Sequence, residues 1–395
     1  MGSDTATSPQ LLRRMNVAAV LRLALAGADF TAAEVMRETG LTRATVLDVC
    51  ADLESSGWLT GVTPDRTAAR VGRPAIRYRL RDDAGVVVGV DAGEVHYRVV
   101  VADLRGRVLG RVHAMVDAHE VGREGRVRAA EELIGAALSE AHRTADDVLV
   151  TIVGIPAPVD AQGASPVGDG AFWPLMNAGF ARLGGRVVVE NDANLAALAE
   201  HEVGADTHNS ATLLSGERFG AGLIVDGRLL RGARGGAGEA RFMQALFPGA
   251  QWGHGVGRLA RAWARERLAS SDEPSALREL DVEDVEAEDV FHAASEGDAL
   301  AKKIIERLGE RLARVVVVMS SLLDVDRVVL AGAIASSLGP VVTQARVVLQ
   351  EQFQSPYPQL VASELGGDVV VRGAIESALA HIRARPLDFT PGPGG

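Results

Sequence analysis

From Leu214 to Gly227 the chain reads LSGERFGAGLIVDG. A short apolar run, Ala211 to Leu214, enters a glycine-rich loop, and a second apolar run leaves it for an Asp-Gly turn. That pattern predicts two strands joined through a tight loop. Loops of this build often hold phosphate, because glycines let backbone N–H groups approach an anion closely. Glu217 stands in the middle of this one, where a carboxylate opposes phosphate.

Outward from that stretch, strands and helices alternate from Val86 to the C-terminus. "VVVGV" and "YRVVVADL" read as neighbouring strands, and "VLVTIVGIP" as a buried strand ending at a proline-containing loop. "RVVVENDANLAALAEH" reads as a strand feeding a helix through Asn191-Asp192. Helices are expected over 124–142, 298–323 and 373–383, and a strand at "DRVVLAGAI". This is an α/β pattern with two lobes. The acidic segment 272–289 is expected to be a solvated loop or short helix, and "PLDFTPGPGG" a disordered end.

The chain has 395 residues, mean hydropathy +0.10 and no apolar run near the ~20 residues a membrane span requires. Two or three domains are expected. Residues 1–10 lack a basic start followed by an apolar block, so no secretory signal is expected and the chain is read as cytoplasmic, with no membrane partner. Cys50, the single cysteine, excludes an internal disulfide and a cysteine-rich metal site. The net charge is −11, yet residues 1–80 hold ten arginines against eight carboxylates. Arg66, Arg70, Arg73, Arg77 and Arg79 crowd into fourteen of those residues. An acidic body with a locally basic segment is compatible with DNA binding, since phosphate contacts act locally.

Those first residues have a readable organisation. Val17, Val20, Leu21 and Ala24 recur at helical spacing and predict a helix over 9–26 that ends at Gly27. "TAAE" from Thr31 is a capping box for a second helix that stops at Gly40. Thr42 caps a third, through about Glu54, whose buried face is Val46, Val49, Cys50 and Leu53. Helix, tight turn, helix and a basic stretch over 58–80 read as a winged helix-turn-helix. The third helix would enter the major groove, with Thr42, Arg43, Ala44, Thr45, Leu47 and Asp48 as the candidate contacts. Arg43 can meet guanine or phosphate, and Asp48 can accept from cytosine N4. Arg73 and Arg77 of "VGRPAIRYRL" would reach the backbone or a minor groove. The alternative is a helical dimerisation domain with solvated arginines.

The chain resembles the ROK family of repressors, open reading frames and kinases, and within it the NagC/XylR-like repressor branch. "GLTRATV…LESSGWL…GRPA" is similar to that branch's winged helix. "GVDAG", "VGIPAPVD", "ENDAN", "GAGLIVDGRLLRGARGGAGE" and "VVLAGAI" follow in the order of the sugar-kinase body. The resemblance implies an α/β, two-lobed, actin-like ATPase (ROK sugar kinase) fold behind a winged helix-turn-helix, with a sugar cleft between the lobes and a homodimer or homotetramer. The expected division is 1–82 for the DNA-binding domain and 83–388 for the body. Within the body, one lobe takes about 83–190 plus 373–388 and the other about 191–372; a disordered tail follows at 389–395.

The resemblance also shows what has changed. Where kinase members read Asp-x-Gly-Gly-Thr, this chain has Asp91-Ala92-Gly93-Glu94-Val95; where they read Gly-Thr-Gly-x-Gly, it has Gly216-Glu217-Arg218-Phe219-Gly220. Both loops lose a threonine and a glycine and gain a carboxylate. Two unit charges about 4 Å apart repel by roughly 4 kcal/mol at a surface-like dielectric, so either glutamate opposes a triphosphate. Arg218 can bind an anion or pair with Glu217 or Glu94, and the pairing is the expected arrangement. The family's zinc site is not expected: "GEARFMQALFPGAQWGHGVG" has no cysteine, Phe242 stands at the family's histidine, and His254 alone makes no tetrahedral site.

Asp192 matches the family's catalytic base, Asn191 a sugar-hydroxyl contact and Glu239 the sugar-binding glutamate; these are the candidate ligand residues. Asp192 is equally placed to be a helix N-cap. "PVGDGAFWPLMNAGF" lies where the family contacts sugar but lacks the usual pattern. The expected function is therefore a transcriptional regulator, a repressor, that binds double-stranded operator DNA and senses a sugar or sugar derivative. No catalytic residue, metal or cofactor is assigned. The alternative is an active ATP-dependent sugar kinase fused to a DNA-binding domain.

Overall fold

The computed structural model describes residues 9–27, 29–62, 76–166, 170–204, 207–239, 252–353 and 355–392. It begins with helices α1 (Pro9–Leu25), α2 (Ala32–Thr39) and α3 (Arg43–Ser55) and a small sheet of β1 (Phe30–Thr31), β2 (Leu59–Val62) and β3 (Arg77–Leu80), ordered β1-β3-β2. The expected caps are present. Thr31 Oγ1 accepts from Glu34 N while the Glu34 carboxylate accepts from Thr31 N at 2.6 Å. Thr42 Oγ1 accepts from Thr45 N. Val46, Val49, Cys50 and Leu53 are buried against α1 and the sheet. Burial pushes the Cys50 thiol up to about 12, so it is an inert core thiol.

The body holds two five-stranded sheets of one topology. The first is ordered β6-β5-β4-β7-β8: β4 (Val86–Ala92), β5 (His96–Asp103), β6 (Val108–Met115), β7 (Val148–Ile155) and β8 (Val187–Asn191). The second is ordered β11-β10-β9-β12-β13: β9 (Ser210–Ser215), β10 (Phe219–Val225), β11 (Arg228–Leu229), β12 (Arg327–Ala331) and β13 (Gln359–Ala362). In each, the first strand makes an antiparallel hairpin on one side and a parallel pair on the other. The two hairpin loops, 93–95 and 216–218, are therefore topological equivalents. Strands such as Val86–Val90 are buried on both faces, which explains their near-continuous apolar character.

Helices then cover the sheets. α4 (Ala118–Glu140) lies on the first sheet, with a break at Gly122 (φ 63°) before its main run. A short α5 (Phe172–Met176) precedes β8. α7 (Val256–Ser270), α8 (Ala287–Ser295), α9 (Ala299–Leu323) and α10 (Gly339–Gln352) share the apolar core of the second sheet. α6 (Asp192–Val203) packs against both β10 and α11 (Val369–Ala384), joining the two halves. The approach is so close that a Cβ at Gly222 would lie 2.1 Å from Ala193 O, and one at Gly373 would lie 1.8 Å from Leu195 O. Glycine is required at both. α6 is thereby fixed with its N-terminus, Asp192, at the junction of the sheets.

The sequence does not foretell how the C-terminus is used. Its expected disorder over 389–395 is incorrect for the four residues the structure describes. Phe389 is 8% exposed, joins the winged-helix core and lies 4.7 Å from the Arg186 guanidinium. Gly392 N donates to Ala84 O at 3.0 Å. Pro and Gly content argues for lack of regular structure, and one buried aromatic supplies the docking that composition does not reveal. Arg22 of α1 donates to Arg383 O, and Arg105 donates to Gly27 O and Leu80 O. The winged helix is thus fastened to the first sheet's side of the body.

Candidate functional site

Between the sheets lies a cavity of about 180 Å3. Asp91 reaches it from the end of β4, Asn191 and Asp192 from the β8–α6 junction, Glu239 from the glycine-rich segment after β11, and Phe172 and Trp173 from α5. The three ligand candidates from the sequence, Asn191, Asp192 and Glu239, are thus brought together.

Asn191, not Asp192, is the N-cap of α6. Its Oδ1 accepts from Asn194 N at 3.0 Å and its Nδ2 donates to Ala157 O at 3.1 Å. The capping role considered for Asp192 falls one residue earlier, because either residue type can cap and the backbone turns extended at Asn191. Asp192 is left with a short local contact, Oδ1 accepting from Ala193 N at 2.7 Å. Burial, with Asp91 and Glu239 close by, pushes its carboxyl well above the usual carboxylate range. The Glu190 carboxylate supports this corner. Buried Glu190 accepts from Asn191 N, Asn194 Nδ2 and Arg231 Nε (2.7 Å), tying β8 to the segment that carries Glu239.

The two hairpin loops face one another at the mouth. Glu94 Oε2 accepts from Arg218 Nε at 3.1 Å, and Glu94 Oε1 lies 3.1 Å from His119 Nε2. Burial opposes the Glu94 charge, but Arg218 and His119 outweigh it and hold its carboxyl below the usual range. The Arg218 guanidinium sits 3.3 Å from the Phe172 ring centroid, a cation–π contact. Glu217 turns away and accepts from Arg261 Nη2 through both oxygens at 2.9 Å. Arg261 also holds Glu286. The expected pairing of Arg218 is therefore with Glu94 across the cleft.

Sequence reading missed the supports behind these loops. Arg126 of α4 is fully buried. It donates to Gly93 O and Ala92 O at 2.8 Å and lies over Tyr97 and Phe180. Arg311 of α9, with its pKa lowered to about 10 by burial, donates to Trp252 O and His254 O and lies over Trp252 and Phe219. Each half of the cleft is braced by a buried guanidinium capping loop carbonyls. An arginine in an otherwise apolar helix face is the one sequence signal that marks them.

As a nucleotide site, the residues present do not fit. Where phosphates would need backbone N–H groups and cations, two carboxylates stand, each with its arginine partner. Among the described residues no group of three or more His, Cys, Asp or Glu is placed to hold a metal ion. Phe242, noted at the family's histidine position, lies outside the described residues, and so does Arg73 of the wing.

At the other end of the molecule, Arg43, Ala44, Leu47 and Asp48 project from α3 as exposed residues, beside exposed Thr42 and half-buried Thr45. Asp48 lies 3.5 Å from Arg13. Arg77 is half-buried and donates to Asp29 O at 2.6 Å, and Arg79 grips the Asp29 carboxylate with two hydrogen bonds. Arg77 thus braces the wing sheet against the turn after α1.

Residues 87–381 match the model of the ROK family. A xylose repressor of Caldicellulosiruptor bescii is 23% identical over 98% of this chain and 99% of its own length. The DNA-binding transcriptional dual regulator NagC of Escherichia coli is 25% identical over 83% of this chain and 82% of its own. The fold is shared with a ROK family transcriptional regulator, a homologue of the E. coli MLC protein (TM-score 0.71, 21% identity, 94% of this chain and 98% of that one). A ROK family glucokinase from Streptomyces griseus, solved with glucose and AMPPNP, covers 74% of this chain and 99% of its own, at 27% identity and TM-score 0.59.

Proposed function

Because the chain belongs to the ROK family and carries a winged helix ahead of the family's body, we propose that it is a DNA-binding transcriptional regulator, a repressor, whose body is a ligand sensor without kinase activity. The observation that carries the reading is the closure of the two phosphate-loop positions on one another through Glu94 and Arg218, behind an α3 that keeps its outward residues exposed. Phosphoryl transfer requires phosphates positioned, their charge neutralised and a base. Asp192 stands at the base position, but the arginines that line its cavity are paired with carboxylates, Arg218 with Glu94 and Arg98 with Asp91.

The sensor reading assigns Asn191, Asp192 and Glu239 to a sugar or sugar derivative as hydrogen-bonding groups. Asp192, with its raised pKa, is suited to donate as well as accept. Thr42, Arg43, Ala44, Thr45, Leu47 and Asp48 are assigned to the operator, with Arg73 and Arg77 on its backbone. In a homodimer, paired winged helices would read an inverted repeat whose spacing follows their separation. Effector and operator affinities are then reciprocally coupled. Selection of genomic fragments by the purified protein tests the reading. Enrichment of a few sites sharing an inverted repeat supports it, and recovery of fragments irrespective of sequence refutes it.

A further inference from the structure

The recognition helix poses a charge problem. Over α3 one arginine, Arg43, stands against the carboxylates of Asp48, Asp52 and Glu54. A helix with that balance meets a polyanion unfavourably. Glu54 is directed to the wing, its Oε1 lying 2.8 Å from where a Cβ at Gly61 of β2 would stand. Asp48 and Asp52 are one helical turn apart on the outer side, with side chains 63% and 41% exposed. Both meet the same cation. Arg13 of α1 hydrogen-bonds Asp52 and places Nη2 3.5 Å from Asp48 Oδ2. Arg13 itself stays 56% exposed, and Arg14 beside it is exposed too.

We propose that Arg13 is a positioning residue of the DNA interface: it spans Asp48 and Asp52 so that an otherwise acidic recognition helix can approach the duplex backbone. The proposal rests on the DNA-binding reading of α3. It adds a residue outside the helix-turn-helix, and it gives Asp48 a partner within the protein. The recognition surface becomes a composite of α1 and α3, with Arg13 and Arg43 as its outward cations. Charge at this point acts locally, within about a Debye length of 8–10 Å, so the acidic body does not cancel it.

The test uses the full-length protein and a random-sequence duplex of about 30 base pairs, titrated over a range of salt. Arg13→Ala is expected to weaken binding about tenfold and to reduce the salt slope by about one. Arg13→Lys, which keeps the charge, should stay within about threefold of wild type. The decisive comparison is D48N/D52N made in both backgrounds. The gain in affinity should be at least about threefold larger with Ala at position 13 than with Arg, because only there are the two carboxylates uncovered. Equal gains in the two backgrounds, or unaltered binding by Arg13→Ala, would overturn the proposal. Wild-type protein that binds no duplex even at low salt would instead overturn the underlying DNA-binding reading. Thermal unfolding of each variant separates a folding loss from a binding loss.

Discussion

Glu94 and Arg218 form an ion pair at 3.1 Å that joins two topologically equivalent hairpin loops, one from each sheet. Glu94 is 17% exposed and Arg218 35%, so the pair is partly shielded from solvent. Removing Arg218 takes away the larger of the two side-chain partners that offset the burial of Glu94 and leaves it His119. Arg218→Ala should therefore cost about 1–2 kcal/mol, less than the 3–5 kcal/mol of a fully buried pair broken on one side. Chemical denaturation measures this, and an unchanged midpoint would deny the pair its role in holding the cleft.

The same pair predicts indifference to nucleotide. AMPPNP with magnesium should leave the melting temperature of the wild-type protein unchanged, and no ADP should accumulate from ATP with any of a panel of aldoses and amino sugars. Sugar-dependent ADP release would restore the kinase reading at once.

Asp192 and Glu94 predict opposite pH dependences. Burial and neighbouring carboxylates raise the Asp192 pKa in the folded state. Its contribution to stability is therefore present below the usual carboxylate range and is lost as pH rises through the raised value. Asp192→Asn should be more stable than wild type at pH 8, with the advantage vanishing towards pH 4. Glu94 is held low, so its contribution is present above the usual range and is lost as pH falls. Glu94→Gln should be less stable than wild type near neutrality and converge with it in acid. Melting temperatures across pH check both signs.

The docked C-terminus predicts a stability effect far from either site. Phe389→Ala should cost about 2–3 kcal/mol, at or just below the usual range for a buried phenylalanine. It should also increase hydrogen exchange in α1 and at residues 81–85. Unchanged exchange there would mean that Arg22, Arg105 and Gly392 hold the winged helix without it.

What could be read in the sequence follows from how local each feature is. The caps at Thr31 and Thr42 and the buried face of α3 depend on spacing within one helix, and the structure repeats them residue for residue. The strand pattern of Val86–Val90 and of the Leu214–Gly227 hairpin is equally local. Asn191 and Asp192 are adjacent and chemically similar, so spacing does not choose the cap between them; the backbone turn does. The partners Arg261, His119 and Arg13 lie 44, 25 and 39 residues from Glu217, Glu94 and Asp52, and no period connects them. Phe389 was hidden by its proline and glycine neighbours. The loop Gly216–Gly220 shows both sides of this: its outline as a phosphate loop is legible, and the fate of its charges belongs to tertiary structure.

In the proposed function α3 reads DNA and the body senses a ligand without kinase activity. The most direct measurement is the affinity of wild type and Arg43→Ala for the genomic fragments that the wild-type protein enriches. A loss of about tenfold or more, at unchanged melting temperature and concentrated on those fragments over random duplex, is the predicted result. Equal affinity of the two proteins for the enriched fragments would contradict it.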